Sequence, residues 1–558
     1  MPLFHQRKFW IIAGVLVALK LWFVSSQPLL AVGWAAHDDR LFLRLAGKIL
    51  GGEWLGDYNQ LTLAKGPAYS LFIASTVVTG VPLPLAQHLL YLLACYLVVR
   101  AVRDLLPGDA WALLLFGALW WQPMSFQMTV LGRVLRQNLY TPVTLLVFAG
   151  LAALHTRAFA APRIRALWAA LLGFALGVLW LTREESIWIA PACIMLPLAA
   201  ALSLRTTPKG WARAGWPCAV AATAAALPIV AVCAMNARAY GWFGTVEFRA
   251  PAFIAAYGAI SRVQAGPSLP LVPVSRAARQ ALYDVSPAFA ELRPYLEGEL
   301  GENWAKASYH TTHLDASQRE IAGGWWMWAL RDAVVMAGHA PSAGEALAFY
   351  QRLADEVNDL CDRGQSPAGP RRHTLIPAWR PEFSASLWRE WPGYFRYFAT
   401  FDGVDAHTPS SVGDARGLRM FRDLTQWHLS HSDEAPELDT RVSADARRLR
   451  VEALHQIERG LRWACIALVG AGLFAWIWRL ASAARRLTPP GYLWWFASAC
   501  LGSAFAIVLI NLLVHVTSFS NLSPGAFAQA YPLIVLFAVL AVVDAIDGRR
   551  LRATRGPG

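Results

Sequence analysis

Long apolar segments alternate with short polar links along most of the chain. A helix needs about 20 predominantly apolar residues to cross the hydrocarbon core of a bilayer. Ten segments have this character: 9–30, 82–103, 109–130, 138–156, 165–182, 186–204, 215–238, 461–481, 491–516 and 525–546. The pattern therefore predicts an all-α polytopic membrane protein with about ten transmembrane helices.

Basic residues in the links predict which side of the membrane each link faces. Short basic links tend to remain in the cytoplasm, and in this chain they are the N-terminus, 157–165, 205–213, 484–487 and 547–558. These links share one side only if an eleventh, shorter apolar stretch, 66–80, does not cross the bilayer. We therefore predict that 66–80 lies along the membrane or re-enters it.

The remaining polar segments then meet on the non-cytoplasmic side; they are 31–80, 131–137, 183–185, 241–460 and 517–524. In the first of them, Arg40, Arg44 and Lys48 recur at every fourth position between apolar residues. This spacing predicts a short amphipathic helix that lies in the membrane interface.

The longest polar segment, 241–460, predicts a mostly helical extracytoplasmic domain inserted before the last three spans. It holds 27 of the 37 carboxylates of the chain, and Ser342 with Glu345 forms a capping-box pattern at the start of a helix. The other two predicted units are an N-terminal transmembrane module, 1–240, and a C-terminal unit of three spans with a basic cytoplasmic tail, 461–558.

Composition excludes some partners and some kinds of site. The formal net charge of +13 does not indicate a nucleic-acid-binding protein, because the basic residues cluster in short links and at the C-terminus. Of the seven cysteines, only Cys361 lies in the long polar segment. No disulfide can form within that segment, and no cysteine pair has the spacing of a metal site.

The stretch 33–67, GWAAHDDRLFLRLAGKILGGEWLGDYNQLTLAKGP, concentrates polar chemistry beside the first span. Asp38 and Asp39 have an ordinary interpretation, because an aspartate before a helix is a good N-cap. The alternative is a general base that removes a proton from an attacking hydroxyl or amine. Lys65 either extends to the lipid headgroups or neutralises a phosphate. His37 is either an interfacial histidine or a hydrogen-bond donor to a ligand.

With these residues in view, the chain resembles the GT-C superfamily of integral-membrane glycosyltransferases. The shared features are a single span, an acidic pair (here His37-Asp38-Asp39), interfacial helices, and a turn into an apolar helix. That turn is Lys-Gly-Pro at 65–67 here. The chain resembles the lipid A aminoarabinose transferases and protein O-mannosyltransferases of this superfamily, which have a Lys-Pro-Pro or Pro-Pro-rich turn there. The resemblance covers about residues 1–240.

The resemblance implies a transferase that takes a sugar from a polyprenyl-phosphate carrier and gives it to a glycan, lipid or protein acceptor. It implies that Asp38 or Asp39 is the catalytic base and that Lys65 neutralises the carrier phosphate. Adjacent carboxylates can hold a hard cation, but the families named above work without one, so we expect no metal and no cofactor. The expected location is a bacterial inner membrane, with the active site on its periplasmic side.

A second polar cluster, Arg183-Glu184-Glu185, lies in the tight link between two charge-free spans. A local Arg–Glu ion pair would be worth little. Three charges at the membrane edge are costly without polar partners, however, which favours a role in binding. We interpret Arg183 as a ligand of phosphate, and Glu184 or Glu185 as a ligand of sugar hydroxyls. Arg133 and Arg136, in the link 131–137, are further candidates for phosphate binding.

Two alternatives from other classes remain open at this point. A lipid or glycolipid transporter, or flippase, usually carries ionisable residues inside its spans and shows internal repeats. Here the spans are nearly free of charge, with Lys20 an exception, and no repeat is evident. A non-catalytic scaffold of cell-envelope assembly would leave the polar clusters on one face unexplained.

Overall fold

The computed structural model describes residues 7–183, 185–204, 210–435, 444–486 and 491–553. Within these ranges the chain is helical, and its β-type pairing is limited to isolated bridges. The first nine helices are α1 (Arg7–Val24), α2 (Asp39–Leu50), α3 (Ala68–Thr79), α4 (Leu83–Val102), α5 (Asp109–Trp120), α6 (Gln137–Thr156), α7 (Pro162–Thr182), α8 (Ala190–Leu204) and α9 (Gly210–Tyr240).

Nine further helices follow in the long polar region. They are α10 (Pro251–Ser261), α11 (Arg276–Val285), α12 (Pro287–Ala290), α13 (Arg293–Leu296), α14 (Glu299–Thr312), α15 (Gly323–Met336), α16 (Ala343–Asp362), α17 (Pro381–Ala399) and α18 (Ala415–Thr425). The chain ends with α19 (Ala444–Arg486), α20 (Tyr492–Thr517), α21 (Pro524–Phe527) and α22 (Ala530–Ala553).

Six helices among the described residues are long and apolar enough to cross a membrane, which makes the chain an all-α multi-pass membrane protein. They are Leu83–Leu105, Gln137–Thr156, Pro162–Thr182, Gly215–Tyr240, Ala446–Arg485 and Tyr492–Thr517. Five shorter apolar helices accompany them: Ala68–Thr79, Asp109–Trp120, Ser186–Leu202, Pro251–Ser261 and Ala530–Ile546.

Four of the ten predicted spans, 9–30, 109–130, 186–204 and 525–546, are not among these six helices. The apolar helices in 186–204 and 525–546 are Ser186–Leu202 and Ala530–Ile546, each of 17 residues. The predicted span 109–130 is helical only as far as Trp120, because Pro123 begins a separate turn of 3-10 helix. The predicted span 9–30 is helical only as far as Val24, and α1 carries three basic residues along its length. At 12 residues, α3 is about 18 Å long, well under the roughly 30 Å of a hydrocarbon core.

The transmembrane helices pack around α6, most of which is buried. Helices α7 and α9 approach closely, because Gly173 and Gly177 lie four residues apart on the contact face of α7. A Cβ atom at Gly173 would lie 2.0 Å from the carbonyl oxygen of Ala221, and one at Gly177 would lie 2.6 Å from that of Ala225. Small residues at this spacing let two helix backbones meet inside a membrane.

The long polar region contributes to two different cores. Residues between Val246 and Cys361 form a core of their own, built around α10, α15 and α16. As predicted, Ser342 caps α16 and accepts a hydrogen bond from the backbone N–H of Glu345. Helices α17 and α18 instead contribute Phe398 and Phe421 to the core of the transmembrane helices.

The segment that leads from α1 to the Asp pair is held by residues far along the chain. Leu29 pairs with Leu429, and the backbone N–H of Gly33 donates to the carbonyl oxygen of Val412 at 2.7 Å. Gly33 and Gly413 pack backbone against backbone, so that a Cβ atom at Gly413 would lie 2.8 Å from the Cα of Gly33. Only glycines allow this approach, which fixes the start of the loop that carries Asp38.

Candidate active site

A cavity of about 610 Å³ opens where the links between the transmembrane helices meet the α15 region. It gathers six of the residues singled out from the sequence: His37, Asp38, Lys65, Arg136, Arg183 and Glu185. Loops separated by more than 140 positions therefore reach one space, as their predicted common side requires. Glu184 lies outside the described residues.

Asp38 faces the cavity instead of capping the helix that follows it. Its side chain makes no capping hydrogen bond to α2, and about half of it (53%) is exposed. The ammonium of Lys65, which is largely buried, donates a hydrogen bond to its Oδ1. Burial alone would raise the pKa of Asp38, but the charge of Lys65 outweighs this effect and lowers the pKa to about 2. The carboxylate is therefore ionised at any physiological pH.

Asp39 is fully buried and bound to Arg133. The guanidinium donates through Nε to Oδ1 at 3.0 Å and through a terminal nitrogen to Oδ2 at 2.5 Å. This two-point geometry uses both carboxylate oxygens. Burial raises the pKa of Asp39 against the opposing attraction of Arg133. The cavity therefore receives Asp38, while Asp39 and Arg133 fasten α2 to the link before α6.

The His37 ring packs against two tryptophans of the polar region. Its ring centroid lies 5.1 Å from that of Trp304 and 4.7 Å from that of Trp328, both in edge-on contacts. Burial, assisted by the nearby charge of Lys65, lowers the pKa of His37. The neutral ring presents one N–H donor and one acceptor to this space.

The Arg183 cluster also lines the cavity, close enough for its arginines to act on Lys65. Glu185 lies 3.6 Å from Nε of Arg183 and 3.7 Å from a terminal nitrogen of Arg136. The two arginines lower the pKa of Glu185 despite its partial desolvation. Arg136 also donates to the carbonyl oxygen of Thr182 at 3.3 Å, which places both guanidinium groups at one end of α6 and α7.

The sequence did not single out four aromatic residues of the cavity, here named the aromatic roof, or the cation Arg249, which adds to Lys65, Arg136 and Arg183. Trp304, Trp325 and Trp328 line the cavity together with Phe519, and Arg249 reaches it from the turn before α10. The run GGWWMWAL at 323–330 was a usable signal, because three tryptophans at the start of a water-exposed helix need a partner surface.

A buried ion pair supports the loop that leads to Lys65. Arg331 and Glu247 are both fully buried and 2.8 Å apart. The guanidinium of Arg331 also donates to the carbonyl oxygens of Gln60 and Thr62. The hydroxyl of Tyr58 donates to Glu247 at 2.5 Å. These bonds join the loop 57–64 to the core of the polar region and so set the direction of Lys65.

A second, apolar cavity of about 540 Å³ lies between the transmembrane helices. Its wall is formed by α3, α4, α6, α7 and α9, and among its lining side chains only Ser75 and Trp54 carry a polar atom. At three places in the sequence, a residue that lines the polar cavity lies within three positions of one that lines the apolar cavity. Lys65 is followed by Ala68, Arg136 is followed by Leu139, and Leu181 precedes Arg183.

No protein-family model matches the sequence, and no curated protein matches it. Among solved structures, the chain is similar to ArnT from Cupriavidus metallidurans, both in the apo state and bound to undecaprenyl phosphate. Sequence identity is 14% in both comparisons, and the TM-scores are 0.33 and 0.32. The alignments cover 97% and 99% of this chain and 78% and 80% of ArnT.

The chain is also similar to the Archaeoglobus fulgidus oligosaccharyltransferase tethered with an acceptor peptide. The identity is 14% and the TM-score 0.33, over 98% of this chain and 51% of the archaeal enzyme. Both neighbours are GT-C superfamily membrane glycosyltransferases, the superfamily that the sequence resembles. At these TM-scores the similarity assigns no function to this chain, and the proposal below rests on the cavity.

One buried carboxylate beside the cavity makes stability depend on pH. Asp332 accepts a hydrogen bond from the indole N–H of Trp304 at 3.1 Å, and burial raises its pKa from 3.8 to about 6. Because the folded state then binds the proton more tightly than the unfolded state, stability falls as pH rises from about 4 to 6 and stays lower above that range. We expect the melting temperature of Asp332→Asn, minus that of the native chain, to increase as pH rises from 4.5 to 7. Thermal melts of both proteins across that range test this, and a constant difference between them would contradict it.

Proposed function

We propose that this chain is a glycosyltransferase that moves a sugar from a polyprenyl monophosphate carrier to an acceptor. The observation that carries the proposal is that the chain lines a cationic cavity at Lys65, Arg136 and Arg183 and, within three residues of each, lines an apolar cavity between the membrane helices. A lipid phosphate needs this arrangement, because its head is anionic and its tail is excluded from water. In this proposal the tail lies between α3, α6, α7 and α9.

The charge of the polar cavity supports an anionic ligand. Among the described residues, four cations line it, namely Lys65, Arg136, Arg183 and Arg249, against the two carboxylates Asp38 and Glu185. Arginine binds phosphate oxygens in a two-point geometry, and lysine binds them as a point charge. When the bond between sugar and phosphate breaks, the leaving phosphate gains negative charge that these groups stabilise.

Asp38 is the proposed base, and the reaction is of the inverting type. An acceptor hydroxyl or amine attacks the anomeric carbon, the bond from that carbon to the phosphate oxygen breaks, and its electron pair leaves with the carrier phosphate. The acceptor proton passes to the carboxylate of Asp38. Lys65 exchanges its hydrogen bond with Asp38 for one with phosphate, which weakens its hold on the carboxylate and makes that carboxylate a stronger base. Glu185 is a proposed ligand of sugar hydroxyls.

The aromatic roof suits a sugar and its acceptor. Tryptophan rings offer flat apolar faces with an N–H at the edge, which match the C–H faces and hydroxyl edges of a sugar ring. Trp304, Trp325 and Trp328 come from the polar region and line the cavity together with the residues from the membrane links. We therefore include acceptor selection among the roles proposed for that region.

The proposed side of action is the non-cytoplasmic face of a bacterial inner membrane. Arg136 and Arg183 stand at one end of α6 and α7, whereas the basic stretch 157–165 lies at the other ends of the same two helices. Helix α6 has 20 residues, about 30 Å, which matches the thickness of the hydrocarbon core. If the basic link remains in the cytoplasm, the cavity faces the opposite side.

Binding of a lipid phosphate tests the proposal directly. The purified chain in detergent is titrated with undecaprenyl phosphate, and tryptophan fluorescence reports binding through the roof of the cavity. We expect Lys65→Gln to weaken binding about 10- to 100-fold, the effect of losing a charged hydrogen bond. Val178→Trp, which fills the apolar cavity, should weaken binding of the lipid but not of inorganic phosphate. The matched control is Leu167→Trp, at an exposed position of the same helix.

Transfer itself is measured with an undecaprenyl-phosphate hexose as donor and a panel of glycan, lipid and peptide acceptors, by mass spectrometry. Loss of the sugar from the donor together with a mass gain on one acceptor supports the proposal. Equal binding of undecaprenyl phosphate by the native chain, Lys65→Gln and Val178→Trp would overturn it. Specific binding without transfer to any acceptor would favour the lipid-transporter alternative.

A further inference from the structure

A second cluster of titratable side chains lies where the segment 402–412 meets the first turns of α19. Asp405 Oδ1 lies 2.9 Å from Nδ1 of His407 and 3.3 Å from Nδ1 of His455. The centroids of the two imidazole rings lie 4.4 Å apart, with the ring planes tilted by 48°. One donor atom from each of the three residues falls within 4.8 Å of the others.

A fourth group, Glu458, points into the same space from one turn further along α19. Its side chain is 1% exposed, and its Oε2 lies 3.8 Å from Nδ1 of His455. Within the described part of the chain, Oε1 of Glu458 is buried without a hydrogen-bond partner, and Nδ1 of His455 is buried without an aligned hydrogen bond although Asp405 Oδ1 lies 3.3 Å away. A buried carboxylate oxygen and a buried ring nitrogen that lack hydrogen bonds are expensive, and a cation between them would satisfy both.

The distances fit the coordination shell of a metal that prefers nitrogen and oxygen ligands. Zinc binds imidazole nitrogen and carboxylate oxygen at about 2.0–2.2 Å, so two ligand atoms in a tetrahedral shell lie about 3.3 Å apart. Asp405 lies 2.9 and 3.3 Å from the two imidazole nitrogens, and Glu458 lies 3.8 Å from that of His455, which brackets this value. Two imidazoles exclude Mg²⁺ and Ca²⁺ as preferred occupants, because those cations favour oxygen ligands.

The surroundings also supply the outer shell that a histidine ligand needs. Nε2 of His407, the ring nitrogen not used for coordination, lies 3.4 Å from Oε2 of Glu452. Glu452 is itself held by the side-chain amide of Gln456 at 2.9 Å. A carboxylate in this position fixes the tautomer of a metal-bound imidazole and raises its basicity.

We propose that Asp405, His407, His455 and Glu458 bind one divalent transition metal ion of the zinc type. The site is structural in this proposal, because Asp405, His407 and His455 supply three clustered ligands and Glu458 would complete a shell made only of protein atoms. It would join α19 to a segment that also touches the start of the chain. The carbonyl oxygen of Asp405 accepts from the backbone N–H of Met128, and that of Ala406 accepts from the side chain of Gln27. This metal differs from the expectation of no metal, which concerned the Asp38-Asp39 pair.

The test measures metal content and stability of the full chain and does not depend on the proposed transferase activity. The purified protein in detergent is stripped with EDTA, dialysed, and titrated with Zn²⁺. Bound metal is measured by mass spectrometry of the elements, and stability by thermal melting. We expect one zinc ion per chain and a rise in melting temperature on adding Zn²⁺, but no rise with Mg²⁺ at the same concentration.

Variants of the ligands identify the site. His407→Gln and His455→Gln should weaken zinc binding by more than about 10- to 100-fold, the loss typical of an outer-shell change alone. Glu458→Gln removes one ligand charge at nearly constant size and serves as the variant least prone to misfolding. The matched control is His310→Gln, at an exposed position on α14. Equal zinc binding in all variants, or melting that Zn²⁺ leaves unchanged in the native chain, would overturn the proposal.

Discussion

Replacing Asp38 by asparagine is expected to lower the rate of sugar transfer by about 10²–10⁴-fold, the usual contribution of a general base. Asparagine keeps the shape of the side chain but cannot accept the acceptor proton. Binding of undecaprenyl phosphate should remain or become tighter, because Lys65 loses its carboxylate partner and is left to interact with phosphate. Steady-state kinetics with an undecaprenyl-phosphate sugar, together with the fluorescence titration, separate these two effects.

Asp39→Asn is the matched control, since it makes the same chemical change one residue away. There the loss falls on the buried two-point pair with Arg133, so the melting temperature should drop while turnover per folded molecule is largely retained. Full turnover in Asp38→Asn, and in the variant with both changes, would refute the proposed base. The scaffold alternative would then explain the polar stretch better than catalysis does.

The largest expected loss of stability follows from Glu247→Gln. The change removes the only carboxylate bound to Arg331 among the described residues and leaves a fully buried guanidinium without a counter-charge. Breaking a buried pair from one side costs about 3–5 kcal/mol. Chemical denaturation of the purified chain in detergent measures the difference in unfolding free energy. The control is Glu302→Gln, which breaks an exposed pair with Lys306 and should change stability far less than Glu247→Gln.

A double variant distinguishes the lost charge from lost packing. Glu247→Leu with Arg331→Met replaces the pair by apolar side chains of similar size. Such replacements are often neutral or stabilising, so the double variant should be more stable than Glu247→Gln alone. It should nevertheless lose the hydrogen bonds to the carbonyl oxygens of Gln60 and Thr62, so that Lys65 is no longer held in position. Stability that recovers while undecaprenyl phosphate binding stays weak would show that the pair positions Lys65. An equal loss in Glu247→Gln and Glu302→Gln would contradict this interpretation.

The apolar pattern was sufficient to predict the fold class and most of the helices. A long apolar segment is stable in a membrane as a helix, because a helix satisfies its own backbone hydrogen bonds. The pattern overestimated the lengths of α1 and α5. Helix α1 ends at Val24 and α5 ends at Trp120, just before Pro123, although the apolar stretch continues in both cases. Apolar content indicates whether a segment lies in an apolar environment, whereas a proline restricts the backbone conformation and can end a helix. Segment 109–130 shows that the backbone decides where the helix ends.

The candidate site was predictable as a set but not in its division of roles. Loop charge alone indicated that the Asp pair and the Arg183 link share one side. It could not indicate which aspartate pairs with Arg133 and which faces the cavity, because Arg133 lies 94 residues from Asp39. The four proposed metal ligands posed the same difficulty, since His407 and His455 become neighbours only when the segment 402–412 packs against α19.

The contacts between the start of the chain and residues 406–431 also determine when the site can form during synthesis. Ala31 donates to the hydroxyl of Ser411 across 380 positions, and Gly33 rests on Gly413. At about 5–20 residues per second, a ribosome needs roughly 20–75 seconds to make that intervening chain. The first span is therefore in the membrane long before the loop carrying Asp38 has its support. Until residue 413 emerges, that loop waits without its final geometry, so the cavity is among the last parts of the molecule to assemble.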